Sequence, residues 1–244
     1  MTNIVIPMAG RGKRFADVGH RVPKPLIPVF GKPMYSWAVD GLPLDPKTRL
    51  IFVCLKEHLD GSDLVQDIQT RYVAYDPAVI ALDKVTDGQA CTVLMAREYI
   101  NSAEELVIYN ADTHYKTTIR QALTTRLKTA DGVLDVFKAE GDHWSFARTD
   151  ASGRVVECAE KKRISEWATT GLYYFRTGSD FVKHAEAMIA ADERTKGEFY
   201  VVPIYNRMIA AGCEIRINLV NDVWVLGTPE ELAAFERAHQ EFLK

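Results

Sequence analysis

Apolar residues in the first half of the chain form short unbroken runs that alternate with amphipathic stretches. Unbroken apolar runs are typical of strands that are buried on both faces, whereas apolar residues spaced three or four apart are typical of helices. The pattern predicts strands at residues 4–6, 50–55, 72–75 and 106–109, and helices at 34–41, 58–70, 88–100 and 117–129. Strands that alternate with helices predict a mostly parallel sheet with helices on both faces.

Strand-like segments follow one another without helices from about residue 132 onward. They lie at 133–137, 144–149, 155–159 and 168–175, with a hairpin turn predicted at Asp150-Ala151-Ser152-Gly153. Next come helices at 180–191 and 200–211, strands at 215–220 and 223–226, and a closing helix at 229–243 with Thr228 as its N-cap. The predicted fold class is α/β, a three-layer sandwich with a mostly parallel Rossmann-like sheet and a small antiparallel β insertion in the second half.

The composition of the 244 residues narrows the class of protein. A hydrophobic fraction of 47% is enough for a sizeable core, and the length suits a single domain over residues 1–244. The net charge of −3 argues against non-specific nucleic-acid binding, and no apolar run is long enough to span a bilayer. The four cysteines lack C-x-x-C spacing, and the chain begins directly with a strand rather than a signal peptide. We therefore expect a cytoplasmic protein with reduced thiols.

A glycine-containing turn follows the first predicted strand. Gly10 and Gly12 lie one residue apart, and three cations come soon afterwards, Lys13, Arg14 and Lys24. The backbone N–H groups of such a loop can face an anion, and a loop at the carboxyl end of a parallel strand is a common nucleotide-binding place. The loop is neither a P-loop nor a Rossmann fingerprint, since Phe15 stands where the third Rossmann glycine would be.

Asp112 comes just after the strand predicted at 106–109. The carboxyl ends of parallel strands meet at one edge of a sheet, so we expect this carboxylate beside the glycine loop. Mg²⁺ at nucleotide sites is usually held by one or two carboxylates together with phosphate oxygens. The alternative is an aspartate that only stabilises a turn, and the loop upstream favours the metal.

The order of these segments resembles a known enzyme family. Three segments are similar to the signature of the sugar-phosphate nucleotidyltransferases, also called nucleoside-diphosphate-sugar pyrophosphorylases: G-x-G-x-R at residues 10–14, P-K-P-L with its Lys24 ten residues after Arg14, and then G-K-P-M. The resemblance runs from Ile4 to about Leu232, and its segments fall in the family's order. It implies a nucleotide-binding half at about residues 1–131 and a sugar-phosphate-binding half at 132–244.

The resemblance also implies roles for individual residues. In the nucleotide half, Arg14 would hold the β- and γ-phosphates, Lys24 the α-phosphate and Asp112 a Mg²⁺ ion. The nucleotide would also contact Met8, Ala9, Gly10, Arg11, Gly12, Lys13, Asp87 and Gly88. In the second half, the segments E-K, T-G-L-Y-x-F and G-E are similar to family segments that bind the sugar phosphate, and they supply Glu160, Lys161, Gly171 and Glu198.

This sequence departs from the family at several positions. Val225 and Leu226 stand where the family's W-x-D-x-G-T-P segment has a second metal-binding Asp, and Asp222 is the nearest upstream carboxylate that could replace it. Ala9 replaces the first glycine of the common A-G-G-x-G. Asp83 stands where the thymidylyltransferase branch has a Gln that contacts the pyrimidine, so the identity of the base is left open.

The implied reaction is nucleotidyl transfer, in which a phosphate oxygen of a sugar 1-phosphate attacks the α-phosphorus of an NTP and pyrophosphate leaves. We expect an NDP-sugar for surface polysaccharide synthesis as the product and Mg²⁺ as the cofactor. The expected partners are an NTP and a sugar 1-phosphate or small phosphorylated alcohol, without nucleic acid or membrane insertion; a homo-oligomer is left open. Two alternatives are a cytidylyltransferase acting on phosphocholine or another small phosphorylated alcohol, and a non-catalytic nucleotide-binding regulator. Only the missing second carboxylate favours the regulator.

Overall fold

A computed structural model describes residues 1–240 of the chain. Its strands are β1 (Thr2–Met8), β2 (Pro28–Val29), β3 (Lys32–Pro33), β4 (Thr48–Leu55), β5 (Ala78–Leu82), β6 (Glu105–Tyr109), β7 (Thr113–His114), β8 (Gly132–Lys138), β9 (Ser145–Thr149), β10 (Val155–Glu160), β11 (Trp167–Phe175), β12 (Ile215–Leu219) and β13 (Trp224–Val225).

The helices of the same residues are mostly short. They are α1 (Lys13–Asp17), α2 (Met34–Asp40), α3 (Lys56–Asp60), α4 (Leu64–Arg71), α5 (Gln89–Leu94), α6 (Arg97–Ile100), α7 (Ile119–Thr124), α8 (Gly178–Ala190), α9 (Val202–Ala210) and α10 (Pro229–Ala238), with 3₁₀ turns at Lys24–Leu26 and Val73–Tyr75. Within residues 1–240, none of these helices is long and apolar enough to cross a membrane.

A nine-stranded sheet takes strands from both halves of the sequence. Its first part, in the order β6, β1, β4, β5, is parallel throughout. On the other side of β6 lies β11, which runs antiparallel to β6, β8 and β9, while β12 pairs with β8 in parallel. The predicted antiparallel insertion is therefore a continuation of the main sheet.

Alternating residues of the central strands face two separate apolar layers. In β1, Ile4 and Ile6 pack with residues of α2 and α4, whereas Val5 packs on the opposite face with residues of α5, α8 and α9. This alternation is the geometry of a strand with helices on both sides. It confirms the predicted three-layer α/β architecture.

Several predicted elements differ from those observed. The predicted strand at 72–75 is wrong: Val73–Tyr75 is a 3₁₀ turn, and the strand is β5, after Asp76 and Pro77. The helices predicted at 58–70 and 88–100 are each two helices in the structure, α3 and α4 in the first case and α5 and α6 in the second. Of the helix predicted at 117–129, only the part that forms α7 is helical. The hairpin of β2 and β3 was not predicted.

The last helix is confirmed at its beginning. The Thr228 side chain accepts a hydrogen bond from the backbone N–H of Glu231, as an N-cap does. Residues 241–244, in which the predicted helix would end, lie outside the described residues.

Candidate active site

An open cleft of about 630 Å³ lies at the carboxyl ends of β1 and β6. In an α/β sheet this edge is where ligands bind, because the loops that follow parallel strands meet there. The cleft is lined by Pro7, Met8, Gly10, Arg11, Gly12, Lys13, Arg14, Phe15, Lys24, Pro25, Gln89, Asn110, Ala111, Asp112, Glu198, Tyr200 and Gly227. The two halves of the sequence thus contribute to one cleft.

The turn after β1 is shaped by two glycines with different surroundings. Gly12 has φ +60°, and a Cβ atom there would lie 2.7 Å from the Cβ of Lys24, so only glycine fits at this close approach. A Cβ atom on Gly10 would meet no atom within 4 Å. The space above Gly10 is therefore open to a ligand.

Cationic side chains line this turn. Lys13 and Arg14 are exposed on the first turn of α1 and form no ion pair with any residue in 1–240. Arg11 is 4.0 Å from Glu57, at the limit of an ion pair, and both side chains are well exposed. These cations are free to bind an anionic group that enters the cleft.

Lys24 forms a close, partly buried ion pair within the cleft. Its Nζ lies 2.5 Å from Oδ2 of Asp112 and 3.3 Å from the carbonyl oxygen of Gly227. Asp112 lies between β6 and β7, and β7 pairs with β13 in a short antiparallel ladder. The N–H of Leu226, just after β13, donates a 2.7 Å hydrogen bond to the carbonyl oxygen of Asp112 and so extends this ladder. The pair joins the glycine loop, the end of β6 and the chain before α10.

The start of α5 is fixed against the second half of the chain. Phe199 N–H donates to the carbonyl oxygen of Asp87, and Ala90 N–H donates to the carbonyl oxygen of Phe199. Gly88 lies between these bonds with φ +132°, and a Cβ atom there would be 2.5 Å from the backbone of Phe199. The Asp87 carboxylate pairs with Arg194 at 3.1 Å and lies outside the cleft lining.

Two polar side chains of the cleft lining, Gln89 and Asn110, are joined by a hydrogen bond. The Gln89 side-chain amide donates to Oδ1 of Asn110 at 2.6 Å. Gly171, with φ +89°, packs so closely on Asn110 that a Cβ atom would lie 2.3 Å from its Nδ2. Gly171 is required for this contact and is itself not a lining residue.

The segment predicted to bind the acceptor forms a second polar cluster. The Lys161 ammonium donates to the hydroxyl of Tyr200 and lies 4.5 Å from the centre of its ring. Glu160 accepts a hydrogen bond from the Ser145 hydroxyl. Burial raises the pKa of the Glu160 carboxyl, and nearby Glu198 adds to that rise, whereas Ser145 and Lys161 lower it.

The structure brings together most of the predicted site residues. Arg14, Lys24, Asp112, Glu198 and most of the glycine turn line the cleft, and Lys161 reaches it through Tyr200. Other predicted residues lie behind the lining or away from it: Ala9, Asp87, Gly88, Glu160, Gly171 and Asp222. Asp222 is exposed, with φ +53°, in the turn before β13. All assigned roles stay predictions.

Lining residues that the sequence did not reveal include Gln89, Asn110, Tyr200 and Gly227. Each of these residues lies within or next to a segment that resembles a family motif. That position in the sequence was the only indication that they line the site. Their importance depends on contacts between segments that are far apart in sequence, such as that between Gln89 and Asn110.

The donor atoms at Asp112 suit a hard cation. The Lys24 ammonium is held there by a carboxylate oxygen and a carbonyl oxygen, which shows that this point accommodates positive charge through oxygen atoms. Within residues 1–240, no group of three His, Cys, Asp or Glu residues could hold a metal ion. Mg²⁺ at such sites takes one or two carboxylates and the substrate's phosphate oxygens, so Asp112 fits.

The fold and the cleft are those of an α/β nucleotidyltransferase. Residues 4–237 match the nucleotidyl transferase family, and the chain belongs to that family. It is 28% identical over 257 residues to the bifunctional protein GlmU of Cupriavidus necator, and 30% identical over 252 residues to that of Paraburkholderia phymatum. Each alignment covers 98% of this chain and 52% of the relative, so the chain spans about half the length of these curated relatives.

Solved structures agree with this assignment. The nucleoside-diphosphate-sugar pyrophosphorylase of Vibrio cholerae RC9 superposes with a TM-score of 0.83 at 29% identity, covering 96% of this chain and 99% of that one. The inositol-1-phosphate CTP transferase of T. maritima superposes with a TM-score of 0.75 at 15% identity, covering 99% of this chain and 96% of that one. The second likeness concerns the fold alone.

Proposed function

We propose that this chain joins an NTP to a sugar 1-phosphate, forming an NDP-sugar and pyrophosphate. The observation that carries the proposal is a single cleft lined by the glycine turn, by the exposed cations Lys13 and Arg14 and by the Lys24–Asp112 pair, and also by Glu198 and Tyr200 of the second half. The likeness to the Vibrio cholerae pyrophosphorylase supports a sugar phosphate as the acceptor.

Phosphoryl chemistry of this kind needs little covalent help from the protein. It needs the two substrates to be aligned and their charges to be neutralised. The glycine turn and Arg14 would bind the β- and γ-phosphates, which leave as pyrophosphate. Lys24, which lines the cleft, would move from Asp112 to the α-phosphate, where negative charge grows.

A metal ion would complete this charge balance. Mg²⁺ held in the cleft would supply charge neutralisation between the two anionic substrates. Asp112 would hold it, which would also release Lys24 from their ion pair.

The acceptor would lie near the polar cluster of the second half. Lys161 would neutralise its phosphate, and Glu198, which lines the cleft, would accept hydrogen bonds from sugar hydroxyls. A sugar nucleotide is an activated glycosyl donor, so we propose a place in surface polysaccharide synthesis. Because NTPs are made in the cytoplasm, we propose that the reaction takes place there.

A pyrophosphate-release assay tests the proposal. The purified chain is mixed with Mg²⁺, each of ATP, CTP, GTP, UTP and dTTP, and a panel of sugar 1-phosphates, phosphocholine and inositol phosphate. We expect release with one sugar 1-phosphate and loss of most of it in Asp112→Ala. Release with phosphocholine or inositol phosphate alone would favour the alcohol alternative. NTP binding without release in any combination would favour a regulator.

A further inference from the structure

We propose that Glu231 is the second metal-binding carboxylate of this site, acting together with Asp112. The inference rests on the proposed function. It assigns metal binding to a residue that lies after the family's W-x-D-x-G-T-P segment rather than within it. The motif's own position is occupied by Leu226, which is fully buried in an apolar cluster with Phe15 and Phe235. That side chain cannot contribute to a metal site.

The carboxylates of Glu231 and Asp112 meet at Gly227. A Cβ atom on Gly227 would lie 3.1 Å from Oε2 of Glu231 and 3.7 Å from Oδ2 of Asp112. Both oxygens are therefore within 4 Å of one point next to the cleft, which Gly227 lines. Glu231, in the first turn of α10, thus places a carboxylate near Asp112, whereas the Leu226 side chain is buried in the apolar cluster.

The Glu231 oxygen at this point lacks a partner. Oε2 is buried and accepts no hydrogen bond from any residue in 1–240. A buried carboxylate oxygen without a donor is costly, and structures usually supply a partner. The carboxylates of Asp112 and Glu231 carry two negative charges, whereas the Lys24 ammonium beside Asp112 supplies one positive charge. One negative charge is therefore left without a counter-charge from these three groups. A divalent cation would supply it, and the oxygen donor set suits Mg²⁺.

Helix capping is the competing explanation for Glu231. Thr228-Pro229-Glu230-Glu231 has the spacing of a capping box, in which the third helical residue's carboxylate binds the N–H of the cap residue. The Thr228 half of that box is present, whereas Oε2 of Glu231 makes no such bond. Glu230 occupies the same first turn, is exposed, and gains equally from the helix dipole. It is therefore the matched control.

Mn²⁺ affinity measured by electron paramagnetic resonance of the free ion tests the proposal without turnover. The titration uses the full chain with Mn²⁺ alone and with Mn²⁺ plus the five NTPs, and no acceptor is present, so nucleotide is not consumed. We expect Glu231→Gln to raise the Mn²⁺ dissociation constant about tenfold or more, and Glu230→Gln to leave it unchanged. Asp112→Asn should weaken binding at least as strongly as Glu231→Gln.

Gly227→Ala provides a second variant that keeps both carboxylates. Its methyl group would lie between them, and Gly227 does not need a left-handed backbone, so we expect a folded protein with weakened Mn²⁺ binding. The proposal is overturned if Glu231→Gln binds Mn²⁺ as Glu230→Gln does, or if the wild-type chain leaves Mn²⁺ free. Pyrophosphate release by wild type would still support the proposed function in that case, so the two failures are distinguishable.

Discussion

Lys24 is fixed at both ends of its side chain. Its backbone lies between Pro23 and Pro25, which restrict the neighbouring dihedral angles, and its Cβ packs on Gly12. Its ammonium binds Asp112 and the carbonyl oxygen of Gly227. The restricted backbone keeps the ammonium beside the cleft, so only the end of the side chain would need to change partner to reach the α-phosphate.

Replacing Lys24 should therefore affect the rate more than the fold. Lys24→Ala is expected to bind NTP within roughly tenfold of wild type, about 1.4 kcal/mol, because Arg14 and the loop amides remain. Its kcat should fall about a hundredfold or more, as when one donor to a developing oxyanion is lost. Calorimetric titration and single-turnover kinetics measure the two effects, and Arg14→Ala should show the opposite order, with binding weakened first. Turnover near the wild-type rate would leave Lys24 as a binding residue only.

Lys161 belongs to the acceptor side of the cleft, and its loss should have a selective effect. Its ammonium contacts Tyr200, which lines the cleft. We expect Lys161→Ala to raise the KM for the phosphorylated acceptor much more than the KM for NTP, because uniform binding to one substrate is lost. Initial rates with each substrate varied in turn give both values. An equal rise in the two KM values would place Lys161 elsewhere.

At the scale of elements, the beginning of α5 depends on its contact with the segment around Phe199. Gly88 has no room for a side chain there, since a Cβ atom would lie 2.5 Å from the N and O atoms of Phe199. Gly197 also has a positive φ, +86°, but a Cβ atom there meets nothing within 4 Å. A side chain at either glycine would strain the backbone, but only a side chain at Gly88 would also collide with a neighbour. Comparing substitutions at the two positions therefore distinguishes backbone strain from steric contact.

Gly88→Ala should destabilise the protein more than Gly197→Ala does. The strained backbone alone costs about 1–3 kcal/mol at either position. The collision with Phe199 adds to this at Gly88 only, and it should also weaken NTP binding because α5 begins beside the cleft. Urea unfolding of both variants gives the comparison. Equal losses would mean that the contact with Phe199 is easily relaxed.

The elements predicted correctly are those whose pattern is local. β1, β4 and β6 have unbroken apolar runs, and each strand lies where such a run occurs. The prediction of a strand at 72–75 failed because the apolar Tyr72 stacks on Phe52 from the end of α4, with ring centres 5.8 Å apart. This packing depends on the tertiary fold, so periodicity could not reveal it.

For the site, too, the sequence revealed the residues that belong to local motifs and missed those that depend on tertiary contacts. The glycine turn, Arg14, Lys24 and Asp112 were recognisable because the residue types recur at fixed spacing, and they line one cleft. Glu231 was recognisable only as a residue in the first turn of a helix. Its closeness to Asp112 arises from the β7–β13 ladder, which joins segments more than a hundred residues apart.

At the scale of the whole molecule, a buried carboxylate joins separate parts of the chain. Asp135, on β8, is inaccessible to solvent. It accepts hydrogen bonds from Tyr115 and Thr117, which follow β7, and from Asn218 on β12. Burial raises the pKa of Asp135 to about 6, although these hydrogen bonds and Arg126 lower it. The network ties the end of the first half to two strands of the second.

This raised pKa predicts how stability depends on pH. Unfolded Asp has a pKa of about 4, so between about pH 4 and 6 the folded chain binds more protons than the unfolded chain. The contribution of Asp135 to stability is therefore largest below pH 4 and falls as pH rises through 6, by a total on the order of 3 kcal/mol. Asp135→Asn should lack this slope. Urea unfolding at pH 4, 5, 6 and 7 tests it, and parallel wild-type and variant curves would contradict it.

On the ribosome, Asp112 is synthesised long before Leu226 and Gly227, its neighbours in the cleft. The parallel strands β1, β4, β5 and β6 all lie within residues 2–109 and can pair while the rest of the chain is still being made. The glycine turn is therefore in place early, whereas Glu198, Tyr200 and Gly227, which complete the cleft lining, are synthesised later. A nascent chain should hold the phosphate-facing loop and Lys24 without forming a complete cleft until Gly227 has been released.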